Sequence, residues 1–366
     1  MGETESKKAP FDFEVHRKRA VEQYAMKRTL YEEFAWEIEN ILTEAIEARG
    51  LKKKINVIQS RAKEEQSFEK KAITPSEQNP DEPKYENPMT DITDLAGVRV
   101  ITFFPSTVNE VCQLIQEEFE TIERVDHTAS AEREERLGYL SVHYLVRLGS
   151  NRKNLSEYKR FVGLTVEIQV RTILQHAWAE IEHDIRYKST STIPKAISRR
   201  FMTLAGLLEI ADHEFEAIQK DDASLRANAR TLISEGRLNE VELTADALHS
   251  YLNARLGPDD RISDFTYDWT AKTLRNMGFQ NLGQIEECIN GLDDDKLSRI
   301  ALGGRSGQVS RFEVLLAASM GHNYLQTHPW VVNSETDWYR PVVEGWWKKL
   351  EQAGFTIGSY QPKKAE

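Results

Sequence analysis

Cysteine is scarce in this sequence, because only Cys112 and Cys288 occur among its 366 residues. Two cysteines exclude an all-cysteine zinc site and a disulfide framework, and no zinc is expected. Apolar runs are short as well. None approaches the ~18 residues of a membrane-spanning helix, so we expect no membrane association. The first ten residues lack the apolar core of a signal peptide, which favours a cytoplasmic location.

Glycine-rich phosphate loops are also missing. The chain contains no Walker loop (GxxxxGK followed by Ser or Thr) and no GxGxxG after a predicted strand. An enzyme acting on nucleotides would therefore hold phosphates with side chains. The net charge of −11 argues against a general nucleic-acid coat but leaves room for a local basic site.

One segment, from Leu51 to Lys71, runs against the overall acidity. It has seven lysines and arginines against three acidic residues. Such a run is typical of a solvated helix face, but it also fits a site for a multiply charged anion such as a nucleoside triphosphate.

Hydrophobic periodicity divides the chain into two parts. We predict a long helix over Phe11–Gly50, a further helix in the basic segment and a proline-rich loop over Thr74–Thr90. Alternating or β-branched runs predict strands, with helices between and after them, which indicates an α/β or α+β domain. The predicted strands are Gly97–Phe104, Tyr139–Leu148 and Leu164–Val170, and the predicted helices are Val108–Phe119 and Thr172–Tyr187. After residue 222 the pattern becomes mainly helical, so the predicted domains are 1–222 and 223–366.

Three short segments carry the residues that suggest chemistry. They begin at Asp94 (DLAGVR), Gly138 (GYLSVH) and Glu167 (EIQVRT). In the third segment, strand alternation puts Glu167, Gln169 and Arg171 on one face, which a half-exposed strand would also show. With Asp94 as a second carboxylate and several cations nearby, the set suits Mg²⁺-assisted phosphoryl chemistry.

In this order, the three segments resemble the RelA/SpoT synthetase domain over about Leu51 to Lys188. The resemblance implies an α+β fold, a nucleotidyltransferase-like mixed sheet flanked by helices. It also implies a pyrophosphokinase that uses ATP and Mg²⁺ and directs a ribose 3′-hydroxyl at the β-phosphorus of ATP. Asp94 and Glu167 would hold the metal, and the catalytic set would be Asp94, Glu167, Gln169 and Arg171.

The same resemblance assigns the two substrates. Arg61 and Arg99 would sandwich the ATP adenine, since guanidinium groups stack on aromatic faces. The full ATP-binding set would be Arg61, Lys63, Ser67, Lys71 and Arg99. Tyr139 would stack on the acceptor base, with His143 beside it.

The loop from Asp126 to Gly138 (DHTASAEREERLG) departs from that family. It lacks the lysines, proline and asparagine of the family's loop, and its acidic residues would disfavour an acceptor that carries a diphosphate. This points to one branch of the family that the sequence resembles, the toxic small synthetases, whose acceptor is the 3′-terminal adenosine of tRNA. An RNA backbone would need a basic surface, although a plain helix face is an equal alternative for these residues. The tRNA-binding candidates are Arg17, Lys18, Arg19, Lys52, Lys53 and Lys54.

The layout of the whole chain resembles fused toxin–antitoxin proteins of the CapRel type. That resemblance implies a mainly helical, pseudo-zinc-finger-like C-terminal domain that inhibits the enzyme until a phage protein, the major capsid protein, releases it to block translation. Cys288 has no partner at zinc spacing, in keeping with the "pseudo" form. The regulatory candidates are Trp338, Tyr339, Trp346 and Trp347, for which packing in a small core is the alternative.

Two other functions stay open at this point. One is a (p)ppGpp synthetase that uses GDP or GTP as the acceptor. The other is a catalytically silent nucleotide-binding regulator, against which the intact Asp94 and Glu167 argue.

Overall fold

A computed structural model describes residues 11–126, 141–188, 194–259, 261–304, 306–333 and 336–363. The chain divides into two compact units, Met1–Ile218 and Gln219–Glu366. The boundary predicted after residue 222 lies close to this division.

The first unit combines helices with five strands in chain order. It contains α1 (Phe13–Ala48), β1 (Ile55–Ala62), α2 (Glu65–Ala72), α3 (Pro88–Asp91), β2 (Ala96–Thr102), α4 (Pro105–Glu118), β3 (Phe119–Asp126), β4 (Val142–Leu148), β5 (Val166–Thr172) and α5 (Ile173–Lys188). Single 3₁₀ turns lie at Lys52–Lys54 and Ser156–Phe161. The next helix, α6 (Lys195–Ser234), begins in this unit and ends in the second.

The five strands form one mixed sheet in the order β1-β2-β5-β4-β3. Among the strands of the described residues, only β2 and β5 run parallel to each other, and the remaining neighbours are antiparallel. The mixed sheet with flanking helices confirms the predicted α+β class. The parallel strands β2 and β5 begin at the same end of the sheet, so Gly97 near the start of β2 is paired with Glu167 near the start of β5.

The two faces of the sheet differ in chemistry because side chains alternate along each strand. Val98, Val100, Ile168 and Val170 are buried on one face with side chains of α1 and α4. The opposite face carries the partly exposed polar residues of β2 and β5. The sheet therefore presents a polar face whose residues include those predicted from the sequence.

The long N-terminal helix is confirmed as α1. The Asp12 carboxylate caps it by accepting hydrogen bonds from the backbone N–H groups of Glu14 and Val15 at 3.0 Å. Apolar residues at helical spacing, including Tyr24, Phe34 and Ile38, are fully buried. This buried stripe attaches α1 to the sheet.

The prediction of a continuous helix in the basic segment is wrong. Residues Ile55–Ala62 form strand β1, and only Glu65–Ala72 is α-helical. β1 pairs antiparallel with β2, which places Gln59 opposite Arg99 and Arg61 opposite Gly97. The β-branched residues of INVIQSRA suit a sheet, but the lysines on either side of them suggested a charged helix.

The second unit is mainly helical, as predicted. Its helices are α7 (Ala245–Leu256), α8 (Asp264–Asn276), α9 (Leu282–Ile289), α10 (Asp294–Leu302), α11 (Gln308–Met320), α12 (His322–Thr327), α13 (Pro329–Val332) and α14 (Tyr339–Gln352). They enclose a core of their own, with Phe312 and Leu315 of α11 fully buried in it. Among the described helices of both units, none is long and apolar enough to cross a membrane. Within the described ranges, no group of three or more His, Cys, Asp or Glu side chains is placed to hold a metal ion.

Candidate active site

Asp94 lies between two lysines at the start of β2. The Lys63 Nζ atom donates to Asp94 Oδ2 at 2.7 Å, and the Lys71 Nζ atom donates to Asp94 Oδ1 at 3.0 Å. The backbone of Lys63 is fixed, because its N–H donates to the Leu95 carbonyl at 3.0 Å and its carbonyl accepts from the Tyr24 hydroxyl at 2.6 Å. Burial alone would raise the pKa of Asp94, but the two lysines outweigh it and lower that pKa. Asp94 is therefore a charged carboxylate.

A chain of hydrogen bonds crosses the polar face from β4 to β5. The Nδ1 atom of His143 lies 2.9 Å from Glu167 Oε1, and Gln169 Nε2 donates to Glu167 Oε2 at 3.1 Å. Arg171 donates to Gln169 Oε1 at 2.8 Å, and Ser141 Oγ lies 2.6 Å from His143 Nε2. The structure thus joins the predicted residues of β4 and β5 in one network.

The electrostatic balance of this network keeps Glu167 charged. Burial raises the pKa of Glu167. The hydrogen bond to His143 and the charge of His143 lower that pKa by more, so the net shift is downward. The negative charge of Asp94 raises the pKa of Glu167 and so opposes His143. Burial, together with the charge of Arg99, lowers the pKa of Arg171 to about 10.

Arg61 and Arg99 extend from neighbouring strands on the same face. Because Arg61 pairs with Gly97 and Arg99 with Gln59, the two arginines are diagonal neighbours, a relation with a spacing of about 7–8 Å. This spacing separates the two backbones, and both side chains line the cavity described below. Burial and the charge of Arg61 lower the pKa of Arg99.

Glu180 of α5 was not among the predicted site residues, yet it holds one of these arginines. Its Oε1 atom lies 3.0 Å from Arg99 Nη1 and 3.8 Å from His176 Nδ1. The (i, i+4) spacing of His176 and Glu180 shows in the sequence that they share a helix face. It does not show that this face lies over β2.

These groups line a cavity of about 480 Å³. Its polar lining side chains are Arg61, Lys63, Glu64, Ser67, Asp94, Arg99, Glu167, Gln169, Arg171, Glu180, Glu182 and His183. The buried Nε atoms of Arg99 and Arg171 donate no hydrogen bond within the described residues. A larger cavity of about 850 Å³ lies in the second unit, but acidic residues prevail in its lining and it has no lysine, which suits a triphosphate less well.

The carboxylates fit the divalent metal that the sequence predicted. Mg²⁺ binds hard oxygen ligands, commonly one or two protein carboxylates together with substrate phosphates and water. Asp94 and Glu167 supply two charged carboxylates at the end of the sheet where β2 and β5 begin. Lys63 and Lys71 are cations beside them that can also hold phosphate oxygens.

The predicted acceptor-binding residues divide into two groups. His143 belongs to the Glu167 network described above. Tyr139 and most of the acidic loop lie outside the described residues, so the stacking role of Tyr139 stays a prediction.

Half of the tRNA-binding candidates are paired with acidic side chains. Arg17 pairs with Glu14 and Glu69, Lys52 pairs with Glu47, and Lys54 Nζ lies 2.9 Å from Glu110 Oε1. The other three, Lys18, Arg19 and Lys53, are exposed.

The four aromatic regulatory candidates differ in burial. Tyr339 and Trp347 lie in the core of the second unit, where Trp347 Nε1 donates to the Ala317 carbonyl at 2.9 Å. Trp346 packs against that core, and Trp338 is 52% exposed. Burial gives Tyr339 and Trp347 a packing role, and the regulatory role of all four stays a prediction.

Comparison with known proteins places a family region over this site. Residues 60–192 match the family described as "Region found in RelA / SpoT proteins". The chain therefore contains a RelA/SpoT-type region, and this region holds Arg61, Asp94 and Glu167.

Two curated relatives are similar over the same part of the chain. GTP pyrophosphokinase YwaC of Bacillus subtilis (strain 168) is 30% identical over 132 residues, which are 36% of this chain and 59% of that protein. GTP pyrophosphokinase YjbM of the same strain is 27% identical over 128 residues, or 34% of this chain and 57% of that protein. The chain thus spans less than two thirds of either relative.

A solved structure, small alarmone synthetase 1 from Bacillus subtilis bound to its product pppGpp, aligns with a TM-score of 0.45. It is 23% identical, and the alignment covers 55% of this chain and 99% of that chain.

Proposed function

We propose that the first unit is an ATP-dependent pyrophosphokinase acting on a ribose 3′-hydroxyl. The observation that carries this proposal is the Asp94 carboxylate, which two lysines hold at one side of a cavity that Glu167 also lines. Paired carboxylates beside lysines and arginines are what phosphoryl transfer with a divalent metal requires. The RelA/SpoT-type region and the names of the two relatives support the same activity.

The cations of the site would bind and orient ATP. Lys63 and Lys71 would move from Asp94 to phosphate oxygens, while Asp94 and Glu167 would hold Mg²⁺, which supplies neutralising charge when bound. Arg61 and Arg99 would receive the adenine in the gap between their side chains. Because these groups come from β1, α2 and β2, ATP would contact one corner of the sheet.

Glu167 would prepare the acceptor hydroxyl. Its carboxylate is charged and hydrogen-bonded to His143 and Gln169, so it is held in place to accept the hydroxyl proton. The 3′-oxygen forms a bond to the β-phosphorus, the bond from that phosphorus to the bridging α-oxygen breaks, and AMP leaves. Arg171, which Gln169 holds, would stabilise the charge on the transferred group.

For the acceptor, we propose the 3′-terminal adenosine of tRNA, so that the product blocks translation. The acidic sequence before Tyr139 supports this acceptor, because a free guanosine nucleotide would bring its 5′-polyphosphate towards carboxylates. Exposed Lys18, Arg19 and Lys53 are the basic candidates without a recorded acidic partner within the described residues. GDP or GTP is the second candidate acceptor, and the names of the relatives favour it.

For the second unit, we propose that it inhibits the first and is released by a phage protein, the major capsid protein. The resemblance in chain layout supports this role, as does the helical unit that follows the RelA/SpoT-type region. Trp338 is the most exposed of the four aromatic candidates and therefore the best placed to contact another surface.

A transfer assay separates these proposals. The full-length protein and the fragment 1–222 are incubated with ATP labelled in the γ-phosphate and with deacylated tRNA, GDP or GTP. Label in tRNA supports the tRNA acceptor, and label only in guanosine nucleotides refutes it while keeping the pyrophosphokinase. Label in neither acceptor, with either protein, contradicts the enzyme and favours a silent nucleotide-binding regulator. Faster transfer by the fragment supports inhibition by the second unit.

A further inference from the structure

A second cavity of about 530 Å³ lies wholly within the second unit, between α8, α11 and α13. Aromatic side chains form much of its lining. Trp269 and Trp330 stack with their ring centroids 4.6 Å apart, and Phe265 at the same cavity is 75% exposed. Its size is in the range of small-molecule and side-chain pockets. None of the roles proposed above uses these aromatic residues.

The carboxylate of Glu313 also lines this cavity. Within the described residues it has no hydrogen-bond or ion-pair partner, although Glu313 is only partly exposed. Burial raises its pKa to about 7. The hydroxyls of Tyr324 and Tyr339, buried nearby in the same unit, lie 3.0 Å apart and are hydrogen-bonded to each other. A carboxylate of this kind lacks a counter-charge.

The positive features around the cavity are already compensated. Arg261 pairs with Asp259, whose Oδ1 atom lies 2.9 Å from Arg261 Nε. The other oxygen of Asp259 accepts the N–H of Gln308 at 3.1 Å and so caps the start of α11. Burial lowers the pKa of His328, next to Trp330, to about 4, so that ring is neutral at pH 7. Within the described residues, Glu313 therefore forms no ion pair with any of these groups.

We propose that this cavity binds an organic cation, a guanidinium or primary ammonium group, between the Glu313 carboxylate and the Trp269, Trp330 and Phe265 rings. Such a cation satisfies the carboxylate by a charge-assisted hydrogen bond and gains cation–π attraction from the indoles. The proposal does not depend on the pyrophosphokinase function, because no residue of the first unit takes part.

Binding to the full-length protein tests this site. Calorimetry and tryptophan fluorescence would follow titration with N-acetyl-arginine amide, with N-acetyl-citrulline amide as the uncharged probe of the same shape. Butylguanidine presents the same guanidinium without peptide groups, and agmatine adds a primary ammonium to it. Tighter binding of the arginine amide identifies a polypeptide side chain as the source, and tighter binding of agmatine identifies a free metabolite.

Two variants complete the test. Glu313→Gln keeps the shape of the side chain and should weaken binding of the arginine probe about tenfold or more, the effect of losing a charged hydrogen bond. Phe265→Leu, at an exposed position, should weaken it by a smaller factor, and Glu344→Gln on the exposed side of α14 should leave it unchanged. Equal binding of arginine and citrulline probes, no binding of either, or unchanged binding by Glu313→Gln protein that unfolds like the wild type would overturn the proposal.

Discussion

Lys63 Nζ lies 2.7 Å from Asp94 Oδ2, and the second oxygen of the same carboxylate accepts from Lys71. The three residues come from the end of β1, from α2 and from the start of β2. The two lysines balance the negative charge of Asp94, and they are also the cations proposed to hold the triphosphate. The contact therefore orders the cations proposed to bind ATP around the carboxylate proposed to hold the metal.

Replacing Asp94 with Asn should lower the rate of pyrophosphate transfer by about 10²–10³, the usual effect of removing one electrostatic group from a reacting centre. Transfer of γ-labelled phosphate measures the rate, and thermal unfolding checks that the variant is folded. Asp81→Asn, in the exposed loop before α3, is the matched control and should retain full activity. Full activity in Asp94→Asn protein would remove this carboxylate from the mechanism.

Replacing His143 with Ala should shift the acid limb of the pH–rate profile upward. Burial raises the pKa of Glu167, and in the wild type His143 and Gln169 more than offset this, so that the pKa of Glu167 lies below its ordinary value. Activity that needs the charged form is lost as the pH falls through that lowered pKa. Without His143, less opposes the effect of burial and the pKa of Glu167 rises, so the loss of activity begins at a higher pH. His213→Ala, exposed on α6, should leave the limb in place, and an unmoved limb in His143→Ala protein would contradict the assigned contact.

Replacing Glu180 with Gln should raise the KM for ATP several-fold and change kcat less. Glu180 anchors the Arg99 guanidinium, and a partly exposed ion pair contributes about 0.2–1 kcal/mol. Steady-state kinetics over a range of ATP concentrations measure the two constants separately. Glu209→Gln, at an exposed position of α6, serves as the control. A fall in kcat with an unchanged KM would assign Glu180 a role in the chemical step instead.

Replacing Trp347 with Ala should lower the free energy of unfolding of the second unit by about 3–5 kcal/mol, the usual effect of removing a buried large aromatic side chain. Trp338→Ala should lower it by less than Trp347→Ala does, because its side chain is half exposed and only its buried half packs against Trp330. Denaturant unfolding measures both. Faster pyrophosphate transfer by a stably folded Trp338→Ala protein would support the inhibitory role, and an unaltered rate would count against it.

Glu313 and His328 should give the second unit opposite dependences on pH. The pKa of Glu313 is raised by burial to about 7, so its contribution to stability is lost as the pH rises from the ordinary carboxyl range through 7. The pKa of His328 is lowered by burial to about 4, so its contribution is present above the ordinary histidine pKa and lost as the pH falls towards 4. Replacing Glu313 with Gln should leave only the effect of His328, and the stability of this variant should rise more steeply between pH 5 and 7 than that of the wild type. Chemical unfolding of both proteins at several pH values measures the slopes, and identical slopes would contradict the raised pKa.

The sequence predicted the parts of the fold that carry a clear period. Strand β5 shows it well, because Val166, Ile168 and Val170 are buried while Glu167, Gln169 and Arg171 share the polar face. Strand β1 was missed because lysines flank its β-branched residues, and only pairing with β2 decides its structure. Local propensity cannot show a contact that another strand supplies.

The same limit applied to the candidate site. Asp94 and Glu167 could be identified because short motifs contain them. Glu180 could not, since its role depends on how α5 lies over Arg99. Nor did the sequence distinguish Trp347 from Trp338. Trp347 lies on the face of α14 that packs into the core, whereas Trp338 precedes the helix and is half exposed.

The parallel pairing of β2 and β5 has a consequence for synthesis on the ribosome. Asp94 and the lysines around it are made early, but Glu167 follows only after α4, β3 and β4 have been translated. In the finished sheet the strand that carries it lies between β2 and β4, both of which are translated earlier. A nascent chain that has not reached β5 contains the lysines proposed to bind ATP but lacks Glu167, the proposed catalytic carboxylate, and it should be inactive while it is still being translated.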